Sequence, residues 1–462
     1  MTETVLLPTP TLREPARRQP TRAGQRYFIR TFGCQMNEHD SERIAGLFEM
    51  DGMLPAEGFE AADVVYINTC TIRENADNRM YGNLGQLKAI KDLNPDMLLV
   101  VGGCAAQKDR DLVRERAPWV DVVMGTHNLD RVLDLMDHAE SWGPITEVVD
   151  ELQAMPSSLP VKRELHHSAW VTIQIGCNNT CTFCIVPSVR GVEVSRRPGD
   201  IVREVQRLAA EGVVEVTLLG QNVDTYGRDL ALDGKRRPIF AELLRRVGEV
   251  DGIRRVRFTS PHPNDFREDV ARAMAETEAV CEHLHFPLQS GSDRMLRTMH
   301  RGYNRKKYSE RLAMAREVIP GLAVSTDIIV GFPGETHDDF AQTLEVVEEA
   351  SFDHAFMFIF SPRPGTAAAR MTDEFVPDEV IKERFGRLAD LQNRISGERN
   401  AEMTGTTVEV LCEGPSKKDP GVATTRTRTG KVVHVPGDHP AGSFFEVVIE
   451  TAYQHHLVGS PV

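Results

Sequence analysis

Cys177, Cys181 and Cys184 fall within eight positions in "GCNNTCTFC", and no fourth cysteine stands near them. A structural zinc site closes with four ligands, and disulfides consume thiols in pairs. Three thiols on one short loop suit another task. They can cap one face of a compact iron–sulfur cluster, and a four-iron cluster held by three thiolates keeps one iron open for a further ligand. Zinc is the rival reading, and it lacks both a local fourth ligand and a paired CxxC downstream.

A second set of three is spread over residues 34–104. "RYFIRTFGC", "ADVVYINTC" and "MLLVVGGC" are strand-like runs that end at Cys34, Cys70 and Cys104. Helix-like stretches lie between them; Ile44, Leu47 and Phe48 share one face of the first. A βαβαβ rhythm implies a parallel sheet with right-handed crossovers. The carboxyl ends of such strands share one edge, where ligands bind, so the three thiols should converge. The plain alternative is that each is a buried small hydrophobe, which is also the reading for Cys281 and Cys412 inside apolar patterns.

Further elements must position the loop that carries the first triad. From about residue 169 six more strands are expected: "AWVTIQIG", "VEVTLLG", "IRRVRFT", "HLHFPL", "LAVSTDIIVG" and "HAFMFIF". The clearest intervening helix is "DIVREVQRLAAEG", with Asp200 expected as its N-cap, Ile201, Val205 and Leu208 as its stripe and Gly212 as its stop. Six strands are too few for a closed eight-stranded barrel, so a partial barrel with an open side is expected. Its strand exits, "GQN", "TSPHP", "LQSGS", "GFPGET" and "SPRPGT", occupy the place where barrel enzymes build their sites. Gln221, Asn222, Asp327, Gly331 and Gly334 are candidates there, with turn chemistry as the plain alternative. His262, His283 and His285 near strand ends read as packing residues.

A helix from about Asp378 to Met403 carries Ile381, Phe385, Leu388, Leu391 and Ile395 at helical spacing. The short strands beyond it suggest a small all-β barrel. Within it "RTRTGKVVH" gathers Arg426, Arg428, Lys431 and His434 without an acid, a strand suited to an RNA backbone or simply to water. Phe444, Phe445 and Tyr453 can stack bases or fill the barrel core.

The bulk numbers fit this organisation. At 462 residues the chain has room for about three domains. A net charge of −14 argues against wholesale wrapping of nucleic acid but leaves room for a local basic face. No apolar run approaches the roughly 20 residues that span a bilayer, and eight cysteines in a large chain without an export signal point to metal or redox chemistry in the cytoplasm. The expected layout is a disordered tail over 1–25, an α/β domain over 26–140, a linker over 141–168, a core over 169–395 and a small barrel over 396–462.

C-x3-C-x2-C with an aromatic, Phe183, before the last cysteine resembles the radical S-adenosylmethionine superfamily. There the open iron is bound by the amino and carboxylate groups of S-adenosylmethionine, and reduction releases a 5′-deoxyadenosyl radical. "TFGCQMNEHDSE", "INTCTIREN", "GGCAAQ", "STDIIVGFPGET" and "FSPRPGT" extend the likeness: nearly the whole chain after residue 25 resembles the methylthiotransferases. "NTCTIRENADNR" and "LLGQNVDTYG" are similar to the members that modify N6-dimethylallyladenosine in tRNA.

The resemblance implies a Rossmann-like parallel α/β domain, a partial (β/α)6 TIM-type radical S-adenosylmethionine barrel and a TRAM-like antiparallel β-barrel. It implies two [4Fe–4S] clusters, one on Cys177, Cys181 and Cys184 and an auxiliary one on Cys34, Cys70 and Cys104, with S-adenosyl-L-methionine as the further cofactor. Phe183, Gln221, Asn222, Asp327, Gly331 and Gly334 are then expected near the cofactor, and Arg426, Arg428 and Lys431 near RNA. The implied partners are the anticodon stem-loop of tRNA and an electron donor such as a flavodoxin or ferredoxin, acting on a monomer away from membranes. The competing activities are methylthiolation of threonylcarbamoyladenosine or of a ribosomal protein, and a non-catalytic iron–sulfur module that binds RNA.

Overall fold

The computed structural model describes residues 19–71, 74–150, 159–231, 234 and 236–462. The chain divides into two compact units: Met1–Glu164 with Ile175–Asn178 and Cys184–Glu193, and Leu165–Gln174 with Asn179–Phe183 and Val194–Val462.

The first unit is built on a six-stranded sheet. In chain order its strands are β1 (Arg26–Phe32), β2 (Leu54–Pro55), β3 (Val64–Thr69), β4 (Leu98–Gly103), β5 (Val122–Met124) and β6 (Ile145–Glu147), and across the sheet they run β2-β1-β3-β4-β5-β6. Every pairing is parallel. "VVYINT" and "LLVVGG" are buried along their whole length, as parallel strands covered on both faces must be. Helices Gln35–Met50 and Val132–Trp142 bury Ile44, Phe48, Val132 and Met136 on one face, while Leu84 and Leu87 of the helix Glu74–Leu93 fill the other. The order reverses between β1 and β3, which makes that crevice the switch point of the sheet.

Two expectations about chain organisation change here. Residues 1–18 of the expected tail lie outside the described residues, but its last few residues are tied down. Arg22 is buried and pairs with Asp51 at 3.1 Å, Asp137 at 2.8 Å and Glu140 at 2.6 Å. The expected linker supplies β6 and also Leu159, which packs into the core of this unit; its residues 151–158 lie outside the described residues. Three-residue strands carry too little pattern to be seen in sequence.

The second unit contains the six expected core strands, all parallel: β7 (Ser168–Thr172), β8 (Glu215–Leu219), β9 (Arg255–Phe258), β10 (His283–His285), β11 (Ala323–Val330) and β12 (His354–Ile359). They form two three-stranded sheets joined by a parallel bridge between Val256 and Val280. This is the partial (β/α)6 barrel. Its helix Pro198–Ala210 buries Ile201, Val205 and Leu208 as expected, but Arg197 is the N-cap and Asp200 lies in the first turn. Pro198 explains the earlier start, since its fixed φ and missing N–H suit the first helical position.

The long helix Asp378–Ala401 buries Ile381, Leu388 and Ile395 and leads into a closed five-stranded barrel: β13 (Thr407–Pro415), β14 (Val422–Thr427), β15 (Val432–Pro436), β16 (Phe444–Ala452) and β17 (Leu457–Pro461). Val410, Val433, Val435, Val447, Ile449 and Leu457 fill it. Barrel and core meet through arginines. Arg255, wholly buried, donates to the Arg426 carbonyl at 2.7 Å and to Glu409, while Arg254 lies over the Phe444 ring at 3.8 Å. Replacing Arg255 with Met leaves buried acceptors without a donor and should cost roughly 2–4 kcal/mol. The urea midpoint of R255M should fall accordingly, whereas R246M at an exposed site should stay within about 0.5 kcal/mol of the parent.

Candidate metal centres

In the first unit the sheet register decides where the thiols go. Phe32 pairs with Thr69 and Thr69 with Gly103, so these three residues form one row across β1, β3 and β4. Cys34 follows that row by two residues, and Cys70 and Cys104 by one. All three leave the sheet at its carboxyl edge, beside the switch point. The row has no room to spare. Gly103 sits at φ +88°, and a Cβ there would collide with the Asn68 side chain and with the Thr69 backbone at 2.6 Å. A Cβ on Gly33 would meet the Cys70 Cβ at 2.7 Å.

The electrostatics favour thiolate at Cys34 and oppose it at Cys104. A hydrogen bond with Cys70 and the charge of Arg190 hold the Cys34 thiol below the ordinary range. Burial pushes Cys104 up, and Arg190, which also hydrogen-bonds it, partly offsets that. Arg190 ends the short helix Val186–Arg190 and is buried with its guanidinium 2.7 Å from the buried Asp40 carboxylate. Ile185 and Val189 pack against Cys104, and the Thr126 hydroxyl anchors the Val189 carbonyl at 2.6 Å. Burial and Arg190 push His127 down to about 4, so that ring is neutral near pH 7.

No disulfide joins any of the eight cysteines. Among the described residues, no three His, Cys, Asp or Glu side chains stand close enough together to hold one metal ion. A cluster spreads its ligands over several metal atoms, so fit rests on the chemistry of the donors. Three sulfurs, one of them held toward thiolate, with a buried cation and a glycine-lined approach, are the donors such a cluster needs.

The other triad divides between the units: Cys177 and Cys184 lie in the first and Cys181 in the second. The Cys177 amide donates to the Gly191 carbonyl at 3.1 Å, and Gly176, at φ +83°, faces the Val192 carbonyl so closely that a Cβ cannot fit. Cys181 accepts a hydrogen bond from Arg301 Nη1 at 3.2 Å. Thr182 fixes the loop beyond it, its amide on the Met299 carbonyl at 3.1 Å and its own carbonyl accepting from Ala368 at 2.9 Å.

The expected cofactor residues of the second unit are scattered in role. Phe183 packs edge-on against Phe332 in a cluster with Met295 and Met299. Gln221 is half-buried at the end of β8, and Asn222 is wholly buried with its amide on Asp265 at 2.9 Å. Asp327 faces His285 at 3.3 Å. Gly331 and Gly334 both take positive φ, and their amides donate to the Glu335 carboxylate and the Glu374 carbonyl; a Cβ on Gly331 would also meet Ile381 at 2.5 Å. Sequence reading passed over Asp224, two residues beyond Asn222. It is wholly buried, accepts the His262 amide at 2.7 Å and is pushed up to about 8 by burial. It also passed over Arg190, six residues beyond Cys184, and Arg301, for which no periodicity gave a signal.

The basic strand is not free. Arg426 pairs with Glu413, Arg428 with Glu282, and Lys431 with Asp353 at 2.9 Å. Arg428 and Lys431 thereby tie the barrel to the core, while Arg426 pairs within the barrel, so the strand's cations are partnered by acids. None of these acids lies within the strand's own stretch of sequence, which is why the strand read as basic.

Three family models match the chain: "Uncharacterized protein family UPF0004" over residues 26–125, the radical SAM superfamily over 171–347 and the TRAM domain over 401–462. A tRNA-2-methylthio-N(6)-dimethylallyladenosine synthase of Corynebacterium jeikeium (strain K411) is 53% identical over 443 residues, covering 94% of this chain and 86% of that protein. The synthase of the same name from Thermobifida fusca (strain YX) is 53% identical over 440 residues, covering 94% and 88%. The chain belongs to the tRNA-2-methylthio-N(6)-dimethylallyladenosine synthase family.

The solved structure of the radical S-adenosylmethionine methyltransferase TsrM from Kitasatospora setae shares the fold of this synthase-family chain, at a TM-score of 0.53 and 14% identity over 75% of each chain. All six cysteines fall inside the stretches matched by the first two models. The family chain should tolerate no side chain at Gly103. G103A should lose at least about 1–3 kcal/mol of stability through strain and collision. Iron analysis after anaerobic reconstitution should show loss confined to the Cys34, Cys70 and Cys104 site.

Proposed function

We propose that this chain methylthiolates C-2 of N6-dimethylallyladenosine next to the anticodon of tRNA. The observation that carries the reading is identity of 53% to synthases of that name over nearly the full length, with both cysteine triads present. The cofactor set that goes with it, two [4Fe–4S] clusters and S-adenosyl-L-methionine, fits the donors described above. Bound here, these groups would supply a methyl group, a sulfur and the one-electron chemistry needed to open an adenine C–H bond that acid–base catalysis does not reach.

The chain's own residues would hold and tune them. Cys34, Cys70 and Cys104 would hold the auxiliary cluster, and Arg190, fixed by Asp40, would place a positive charge beside it. Cys177, Cys181 and Cys184 would hold the second. Gln221, Asn222 and the turn around Gly331 and Gly334 at the strand exits of the core, with Asp327 inside β11, would face S-adenosylmethionine, and Phe183 would back the cysteine loop. In this reading residues 26–140 form the auxiliary-cluster domain, 169–395 the radical core and 396–462 the RNA-binding barrel. Arg428 and Lys431 would serve RNA by fixing the barrel's position, and Arg426 by bracing the strand that carries them. No helix among the described residues is long and apolar enough to cross a membrane. We assign the protein to the cytoplasm as a monomer that receives electrons from a flavodoxin or ferredoxin.

Nucleoside analysis of tRNA from a deletion strain tests the assignment. The 2-methylthio-N6-dimethylallyl nucleoside should disappear and the unthiolated nucleoside accumulate. The parent gene should restore it, and C34A or C181A should not. Persistence of the product in the deletion strain, or loss instead of a methylthiolated threonylcarbamoyl nucleoside, would refute it.

A further inference from the structure

Arg301 is the buried cation of the second unit whose surroundings the fold leaves unexplained. Its side chain is buried, and its guanidinium donates from Nη1 to Cys181 Sγ at 3.2 Å and from Nε to the Tyr303 hydroxyl at 3.1 Å. Tyr303 is itself held, donating to the Pro287 and Leu288 carbonyls at 2.8 and 3.0 Å. Among the described residues no carboxylate lies within ion-pair distance of Arg301, whereas the buried Arg22, Arg190, Arg255 and Arg384 each have one. A buried guanidinium without a counter-charge is strongly disfavoured. Its partner here is a sulfur.

The backbone is bent to make this meeting. His300 sits at φ +54° and Gly302 at φ +70°, so two left-handed residues flank Arg301. A non-glycine residue in that region is strained, and such strain persists only where the surroundings enforce it. The preceding turn of chain is fastened to the cysteine loop: the Thr182 hydroxyl donates to the Thr298 carbonyl at 2.9 Å.

We propose that Arg301 is a positioning residue for the cluster held by Cys177, Cys181 and Cys184, compensating the charge of the Cys181 sulfur and setting the cluster's reduction potential. The inference rests on the reading that these three cysteines hold a cluster. Hydrogen bonds to ligating sulfurs and net charge near the cluster are the levers that tune such potentials. A fixed cation favours the more negative, reduced form, so it makes one-electron reduction easier. Mere packing would need neither the charge nor the sulfur contact.

The full-length C34A/C70A/C104A variant, reconstituted with iron and sulfide, isolates the second site. A redox titration followed by electron paramagnetic resonance, without S-adenosylmethionine, gives its midpoint. R301M in this background should shift the midpoint to more negative values, or lose iron while keeping the parent's thermal melting. R301K should recover most of the parent's behaviour, and Y303F, which keeps the charge but frees the side chain, should fall between. Equal midpoints and iron content for R301M and its parent would overturn the proposal, as would equal shifts for R301K and R301M. A background variant that binds no iron would overturn the cluster reading itself, a result distinguishable from failure of the arginine's role alone.

Discussion

One row of paired residues governs the first unit. Because Phe32, Thr69 and Gly103 stand side by side in a parallel sheet, the three strands must release their chains at the same edge. A slip of one residue in any pairing would carry a thiol to the opposite face of its strand. The row therefore brings three cysteines spaced over seventy residues of sequence, Cys34 to Cys104, to one edge of the sheet. Tight packing around Gly33 and Gly103 keeps other side chains out of that edge. The buried runs of β3 and β4, apolar on both faces, hold the register.

Charge is the second shared feature. Each unit brings one buried arginine to a cysteine sulfur: Arg190 beside Cys34 and Cys104, and Arg301 on Cys181. They are anchored differently. Arg190 has Asp40 at 2.7 Å, whereas Arg301 leans on a tyrosine hydroxyl and the sulfur. In a low-dielectric interior such cations act strongly on whatever the sulfurs bind. The barrel uses its cations in another way. Arg428 and Lys431 cross to acids of the core, so the barrel is braced by its positive charge.

The sequence was most legible where periodicity and cysteine position coincided. The three long strands of the first unit, the six core strands and the small barrel all followed from apolar pattern and turn residues. The short strands Val122–Met124 and Ile145–Glu147 were missed because three residues cannot display a period. Asp200 was misplaced as a cap because Pro198 starts the helix earlier. Arg426, Arg428 and Lys431 looked free because their partners Glu413, Glu282 and Asp353 are brought in by tertiary structure, and Arg301 was invisible for the same reason. Local pattern reports elements; partners across the fold must be seen.

The central claim is that one chain holds two independent three-cysteine cluster sites. Iron and zinc analysis with Mössbauer spectroscopy of anaerobically reconstituted protein addresses it most directly. About eight iron atoms per chain, all in four-iron clusters, are expected for the parent, and about four for each triple-alanine variant of one triad. Bound zinc with little iron, or a triple variant that keeps the parent's full iron content, would contradict the account.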